Sequence, residues 1–132
     1  MIFVDTSFWL ALAMPRDAGH ATSVTLYERF GGSRLVTSNH VRGETWTFLR
    51  RRVRHRVAVH FLDSLQETSR IRLDFVAPEL EEEALVRLHR HDEREYSFVD
   101  ATSFALMRSL RIRGALAFDG DFAAAGFVEL RP

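Results

Sequence analysis

Short apolar runs closed by polar turns alternate along this chain with longer stretches whose apolar residues recur every three to four positions. Ile2-Phe3-Val4 is the first run and reads as a buried strand. Asp5-Thr6-Ser7 then supplies capping chemistry, and Phe8 to Leu12 continues as a helix that Pro15 ends. His20 to Phe30 reads as a second helix, stopped by Gly31-Gly32, and Leu35-Val36-Thr37 as a second strand. Ser38-Asn39 caps a third helix, in which Val41, Thr45, Phe48 and Leu49 share one face. His55 to Thr68 is a further amphipathic helix and Ile71 to Val76 a third strand. Pro78 stands in the first turn of a helix that begins with Glu79, Glu81, Glu82 and Glu83, carboxylates that suit the positive end of its dipole. Ser97 opens a helix through Leu110, and Ala115 to Phe118 and Phe127 to Leu130 read as the last two strands.

Strands alternating with helices predict an α/β fold, a parallel sheet covered on both faces. No linker, repeat or low-complexity stretch divides the chain, so residues 1–132 read as one domain. Sites in open α/β sheets lie outside the carboxyl ends of the strands, where the strand order reverses. Asp5 follows the first predicted strand and Asp119 the fourth.

Composition narrows the chemistry. At 46% hydrophobic and 27% charged residues the chain is neither disordered nor fibrous. The absence of Cys excludes a disulfide scaffold, a thiolate zinc site, an iron–sulfur cluster and a thiol nucleophile. No apolar run is long enough for a membrane span, and Met-Ile-Phe-Val-Asp does not read as a signal peptide, so a cytoplasmic protein is expected. All 18 basic residues are Arg. Without Lys there is no P-loop lysine, no Schiff base and no lysine of a phosphoacceptor receiver site.

Four acids stand where carboxylates are costly. Glu44 borders the apolar stripe of the third helix, three residues after Val41 and four before Phe48. Asp100 is followed by Phe104 and Met107 on a core-facing helix, and Asp5 and Asp119 lie between apolar strands and helices. Each has a structural use as well: Asp5 as an N-cap, Glu44 as a solvated helix residue, Asp100 as half of a capping box with Ser97, and Asp119-Gly120 as a turn. If several converge, repulsion raises their pKa values unless a cation neutralises them. An oxygen-only cluster suits Mg²⁺ or Mn²⁺, ions that support attack of water on a phosphodiester.

Val4-Asp5-Thr6-Ser7, Glu44 early in the third helix, Phe98-Val99-Asp100-Ala101 and Phe118-Asp119-Gly120-Asp121-Phe122 occur here in an order and spacing that resemble the PIN-domain family. Within it they resemble the VapC-type toxins of type II toxin–antitoxin pairs, over nearly the whole chain. The resemblance implies a three-layer α/β/α sandwich around a mostly parallel sheet of four to five strands. It implies a Mg²⁺-dependent endoribonuclease, usually a homodimer, held inactive by a VapB-type antitoxin. Carried over by position, the catalytic and metal-holding acids are Asp5, Glu44, Asp100 and Asp119. Asp121 is implied as an outer metal ligand, and Thr6 as a hydroxyl supporting the acids. Many relatives carry Thr or Ser two residues before the fourth acid, where this chain has Ala117. The segments Thr37 to Val41, Gly43 to Trp46 and His91 to Ser97 resemble a subgroup that cuts the sarcin–ricin loop of large-subunit ribosomal RNA.

Arg50-Arg51-Arg52-Val53-Arg54-His55-Arg56 is the densest basic stretch. It reads either as a phosphate-binding ridge, with Arg50, Arg51 and Arg54 as RNA-binding candidates, or as a solvated helix end that suits the dipole. The six His show no metal-binding spacing; His40 and His91 stand out because both fall near the acids in the predicted order. Two rival readings stay open. One is a non-catalytic RNA-binding module whose acids are only caps, which metal-dependent RNA cleavage separates from the nuclease. The other is a phosphotransfer or phosphatase domain on a similar sheet, which phosphoenzyme trapping would reveal.

Overall fold

The computed structural model describes residues 1–132. Its elements are β1 (Ile2–Val4), α1 (Thr6–Ala13), α2 (His20–Arg29), β2 (Leu35–Ser38), α3 (Asn39–Arg52), α4 (His55–Glu67), β3 (Ile71–Asp74), α5 (Pro78–Arg90), α6 (Phe98–Leu110), β4 (Gly114–Leu116), α7 (Asp121–Ala124) and β5 (Val128–Glu129). The five strands form one sheet in the order β3-β2-β1-β4-β5, and every neighbouring pair is parallel. The chain builds outward from β1 through β2 to β3, then returns to the other side of β1 for β4 and β5. The order therefore reverses at the β1–β4 boundary, where Val4 registers with Leu116. A crevice opens there beyond the carboxyl ends of the strands.

Parallel strands covered on both faces must be largely apolar, and β1, β4 and the Leu35-Val36 half of β2 are. The buried Thr37 and Ser38 that end β2 are satisfied by hydrogen bonds, the Thr37 hydroxyl donating to Val4 O and Ser38 Oγ accepting the Val41 N–H. Phe3, Val4, Leu35, Val36, Ala115 and Leu116 are fully buried. They form one hydrophobic cluster with Phe8 and Trp9 of α1, Leu26 of α2, Val41 and Leu49 of α3, and Phe104 and Met107 of α6. Phe122 of α7 joins it, its ring 5.0 Å from Phe104 and 6.0 Å from Phe3. That contact fixes α7 against the sheet beside the crevice. No helix is long and apolar enough to cross a membrane.

β1 matches its apolar run and β2 extends one residue past it, but β3, β4 and β5 stop short of theirs, for one recurring reason: backbone groups at their ends bond side chains or helix ends instead of a neighbouring strand. Val76 donates its N–H to Asn39 Oδ1, so β3 stops at Asp74. Phe118 donates to Ser7 Oγ and Ala117 O accepts from Arg131, so β4 stops at Leu116. Phe127 donates to Phe122 O and closes α7, so β5 begins at Val128. The turn expected at Asp119-Gly120 continues into α7, a single helical turn that apolar periodicity is too short to reveal.

Candidate metal centre

Asp5 sits where β1 ends and α1 begins, and 2% of its surface is exposed. It is the N-cap of α1: its Oδ2 accepts the Ser7 N–H at 3.1 Å and the Ser7 hydroxyl at 2.8 Å. The same hydroxyl oxygen accepts the Phe118 N–H at 3.0 Å, tying the end of β1 to the segment after β4. Thr6 Oγ1, by contrast, is buried without a hydrogen-bond partner.

Asp100 arrives from the first turn of α6, held by a reciprocal capping box. Ser97 Oγ accepts the Asp100 N–H at 2.9 Å, and Asp100 Oδ2 accepts the Ser97 N–H at 2.9 Å. Asp119 arrives from the turn before α7, and Asp121 is the first residue of that helix. Gly120 lies at φ 81°, a left-handed conformation that glycine adopts without a Cβ penalty. The turn it makes brings the Asp121 N–H to Asp119 Oδ1 at 3.1 Å. Arg94 anchors the turn from outside, donating to Asp121 Oδ1 at 2.6 Å and to the Asp119 carbonyl at 3.1 Å. Glu129 of β5 anchors it from inside. Its carboxylate accepts the Gly120 and Ala123 N–H groups and pairs with Arg131.

Asp5, Asp100, Asp119 and Asp121 each commit one oxygen to these anchors. The other oxygen of each accepts no hydrogen bond within the protein. Capping and site-building are thus not alternatives: the cap aims the carboxylate and leaves a free oxygen. Carboxylate oxygens of Asp100, Asp119 and Asp121 lie within 4.8 Å of one another. Burial and the charge of Asp119 push Asp5 up to about 7, against the opposing Ser7 hydrogen bonds, and Asp100 adds to the rise. Burial pushes Asp100 up to about 6; the Ser97 hydrogen bond opposes this and the Asp119 and Asp121 charges add to it. Asp119 is raised as well, by burial and then by Asp121 and Glu129, against the Asp121 N–H. Buried carboxyls raised in this way by burial and by neighbouring acids are more fully ionised near neutral pH when a cation lies beside them. Their free oxygens are a hard donor set, which fits Mg²⁺ or Mn²⁺.

Glu44 is not part of that group. It lines an adjoining cleft of about 710 Å³ between α3 and the start of α6, with His40, Phe48, Arg51, Arg52 and Phe98. His40 is fixed by Thr102 Oγ1 at 3.2 Å and Glu81 Oε1 at 3.2 Å, and its ring packs 5.6 Å from Phe98. Among the basic candidates, Arg51 faces this cleft and Arg50 does not. Arg54 lies beyond the end of α3, at the N-cap of α4, and lines a different cavity. His91 pairs with Glu93 at 2.7 Å. Ser7, Arg94 and Glu129 were not singled out by sequence, because their partners lie far along the chain or in a turn no periodicity marks.

With the crevice and its carboxylates in view, the amino-acid sequence itself matches the PIN domain family over residues 2–128. The chain belongs to the PIN domain family. This PIN domain is 56% identical, over 100% of its length and 99% of the relative's, to the 23S rRNA-specific endonuclease VapC20 of Mycobacterium tuberculosis (strain CDC 1551 / Oshkosh). The same figures hold for the protein of that name from strain ATCC 25618 / H37Rv. A crystal structure of Mycobacterium tuberculosis VapC20, described as a sarcin–ricin loop cleaving toxin, matches this PIN domain with a TM-score of 0.95. That likeness covers 100% of both chains at 55% identity.

Proposed function

We propose that this PIN domain protein is the toxin of a VapBC-type pair, an endoribonuclease that hydrolyses a phosphodiester bond in the sarcin–ricin loop of 23S ribosomal RNA and so stops translation. The observation that carries the proposal is the 56% identity, end to end, with an endonuclease of that specificity. The carboxylates at the switch point supply the chemistry. Asp5, Asp100 and Asp119 are the residues that would hold Mg²⁺, with Mn²⁺ able to replace it. Asp121 joins them on the outer side, where it shares its charge with Arg94. Glu44, which lies outside that group, would add a further carboxylate from the adjoining cleft. A bound Mg²⁺ supplies a water of lowered pKa and offsets charge developing on the phosphoryl oxygens.

The rest is work by this chain's own side chains. Ser7 opposes the protonation of Asp5 and fixes its orientation. The Ser97 box does the same for Asp100. Arg51 takes an RNA phosphate in the Glu44 cleft as a charge-assisted hydrogen-bond donor, and Arg50 and Arg54 extend the basic surface beside it. Thr6 keeps a buried hydroxyl next to Asp5. Water is the nucleophile, so no covalent enzyme intermediate forms. The protein acts in the cytoplasm as a homodimer of single-domain chains and is silenced by a VapB-type antitoxin. Incubation of purified protein with large-subunit ribosomal RNA tests the reading. One specific cut is expected with Mg²⁺ and none in chelator; an RNA left intact under both conditions overturns it.

A further inference from the structure

Beyond the Glu44 cleft lies a second open cavity, of about 690 Å³, between the end of α1 and the α3–α4 junction. Arg16 faces it from one side, Arg52 and Arg54 from the other, with Met14, Pro15 and Val57 as apolar walls. No carboxylate lines it. Five arginines elsewhere are engaged: Arg72, Arg94, Arg108 and Arg131 pair with acids, and Arg70 donates to the Gly31 and Tyr27 carbonyls. What sets Arg16, Arg52 and Arg54 apart from the remaining free arginines is that they line one cavity together. Arg16, Arg52 and Arg54 make no ion pair and no side-chain hydrogen bond with the protein. Three like charges from separate segments repel unless an anion lies among them. Their planar forks match the oxygens of a phosphate.

The cavity is joined to the carboxylates. Arg52 lines both it and the Glu44 cleft, and its guanidinium lies 4.3 Å from the centre of the Phe48 ring. Phe48 lines the Glu44 cleft and also a smaller cavity that holds Ser7 and Asp119. Met14 lines that smaller cavity and the arginine cavity alike. A strand with a phosphate at Asp119 thus has a continuous surface past Phe48, over Arg52, to Arg16 and Arg54.

We propose that Arg16, Arg52 and Arg54 form a remote phosphate clamp that grips the RNA backbone several bonds from the cut, the inference resting on the nuclease reading above. RNA is favoured over an acidic peptide because the cavity continues into the cleft where the substrate backbone must lie. The clamp contributes affinity for any sequence, and base choice belongs elsewhere.

The test is binding of a synthetic RNA hairpin carrying the sarcin–ricin loop, in chelator, followed by fluorescence anisotropy across a salt series. Arg16→Gln and Arg54→Gln remove charge without removing a cap, since Arg54 makes no side-chain cap hydrogen bond. Each is expected to lower the log–log salt slope by roughly 0.7–0.9, and the double variant to bind about tenfold or more weakly at low salt. Arg16→Lys is expected to restore most of the slope, which a packing defect would not allow. A double variant with the parent's affinity and slope, beside a parent that cuts RNA, overturns the clamp and leaves the nuclease standing. A double variant that binds RNA normally but loses an acidic protein partner also overturns it. A parent that neither binds nor cuts RNA overturns both.

Discussion

Ser7 donates its hydroxyl hydrogen to Asp5 Oδ2 at 2.8 Å, and through the same oxygen it receives the Phe118 N–H at 3.0 Å. One side chain therefore holds a buried carboxylate ionisable and locks the β1 and β4 ends of the crevice together. Ser7→Ala removes the donor and orphans the Phe118 amide. The variant is expected to be destabilised by about 1–3 kcal/mol and to raise the Asp5 pKa further. Mg²⁺ should then bind more weakly at neutral pH. Thermal melts and Mg²⁺ titration of the variant check both effects.

The raised carboxyls give the metal-free protein an unusual pH dependence. A folded-state pKa above the unfolded one means that the folded protein holds the proton more tightly. Stability is then lost as pH rises from the unfolded carboxylate range, near 4, through the folded values of about 6 for Asp100 and about 7 for Asp5. In chelator, the protein should be less stable at pH 8 than at pH 5.5, by about 2 kcal/mol from Asp5 alone. Mg²⁺ at pH 8 should reverse the loss. Denaturant melts at the two pH values, with and without Mg²⁺, read this directly.

Asp100 allows its two roles to be separated, because Asn keeps an acceptor for the Ser97 N–H while losing the charge. Asp100→Asn should match or exceed the parent's stability in chelator at pH 8. Asp100→Ala loses the cap as well and should fall below Asp100→Asn by about 0.5–2 kcal/mol. The parent should gain about 2.7 kcal/mol from Mg²⁺ at a hundredfold excess over Kd, and both variants much less. Equal Mg²⁺ gains in all three proteins would show that Asp100 does not hold the ion.

The sequence carried the fold where burial is continuous. Phe3-Val4, Leu35-Val36 and Ala115-Leu116 are apolar because both faces of their strands are covered, so the runs mark the strands. Their ends were overread, because Val76, Ala117 and Phe118 are apolar yet bond side chains. Asp5 and Asp100 were legible from their places between apolar segments. Ser7 and Arg94 were not, since a residue's pairing with another 111 or 27 positions away leaves no local trace, and Glu129 was not because its partners lie in and around the short α7, which no periodicity marks. The cap readings of Asp5 and Asp100 hold, and they do not compete with the proposed metal role, because each cap uses one oxygen and leaves the other free. The basic run drew attention to Arg50, whereas the fold gathers Arg52 and Arg54 with Arg16, some 36 residues earlier than Arg52.

The central claim is that carboxylates at the β1–β4 crevice hydrolyse one bond of ribosomal RNA. Primer-extension mapping of new 5′ ends on purified ribosomes tests it most directly, with the parent, Asp5→Asn and Asp100→Asn compared in Mg²⁺. Each substitution removes a carboxylate proposed to hold Mg²⁺ and should cost at least about 4 kcal/mol of transition-state stabilisation, a thousandfold in rate. The account predicts a single new end within the sarcin–ricin loop for the parent and none for either variant, both remaining folded. The same end produced at the parent's rate by Asp5→Asn or Asp100→Asn would contradict it.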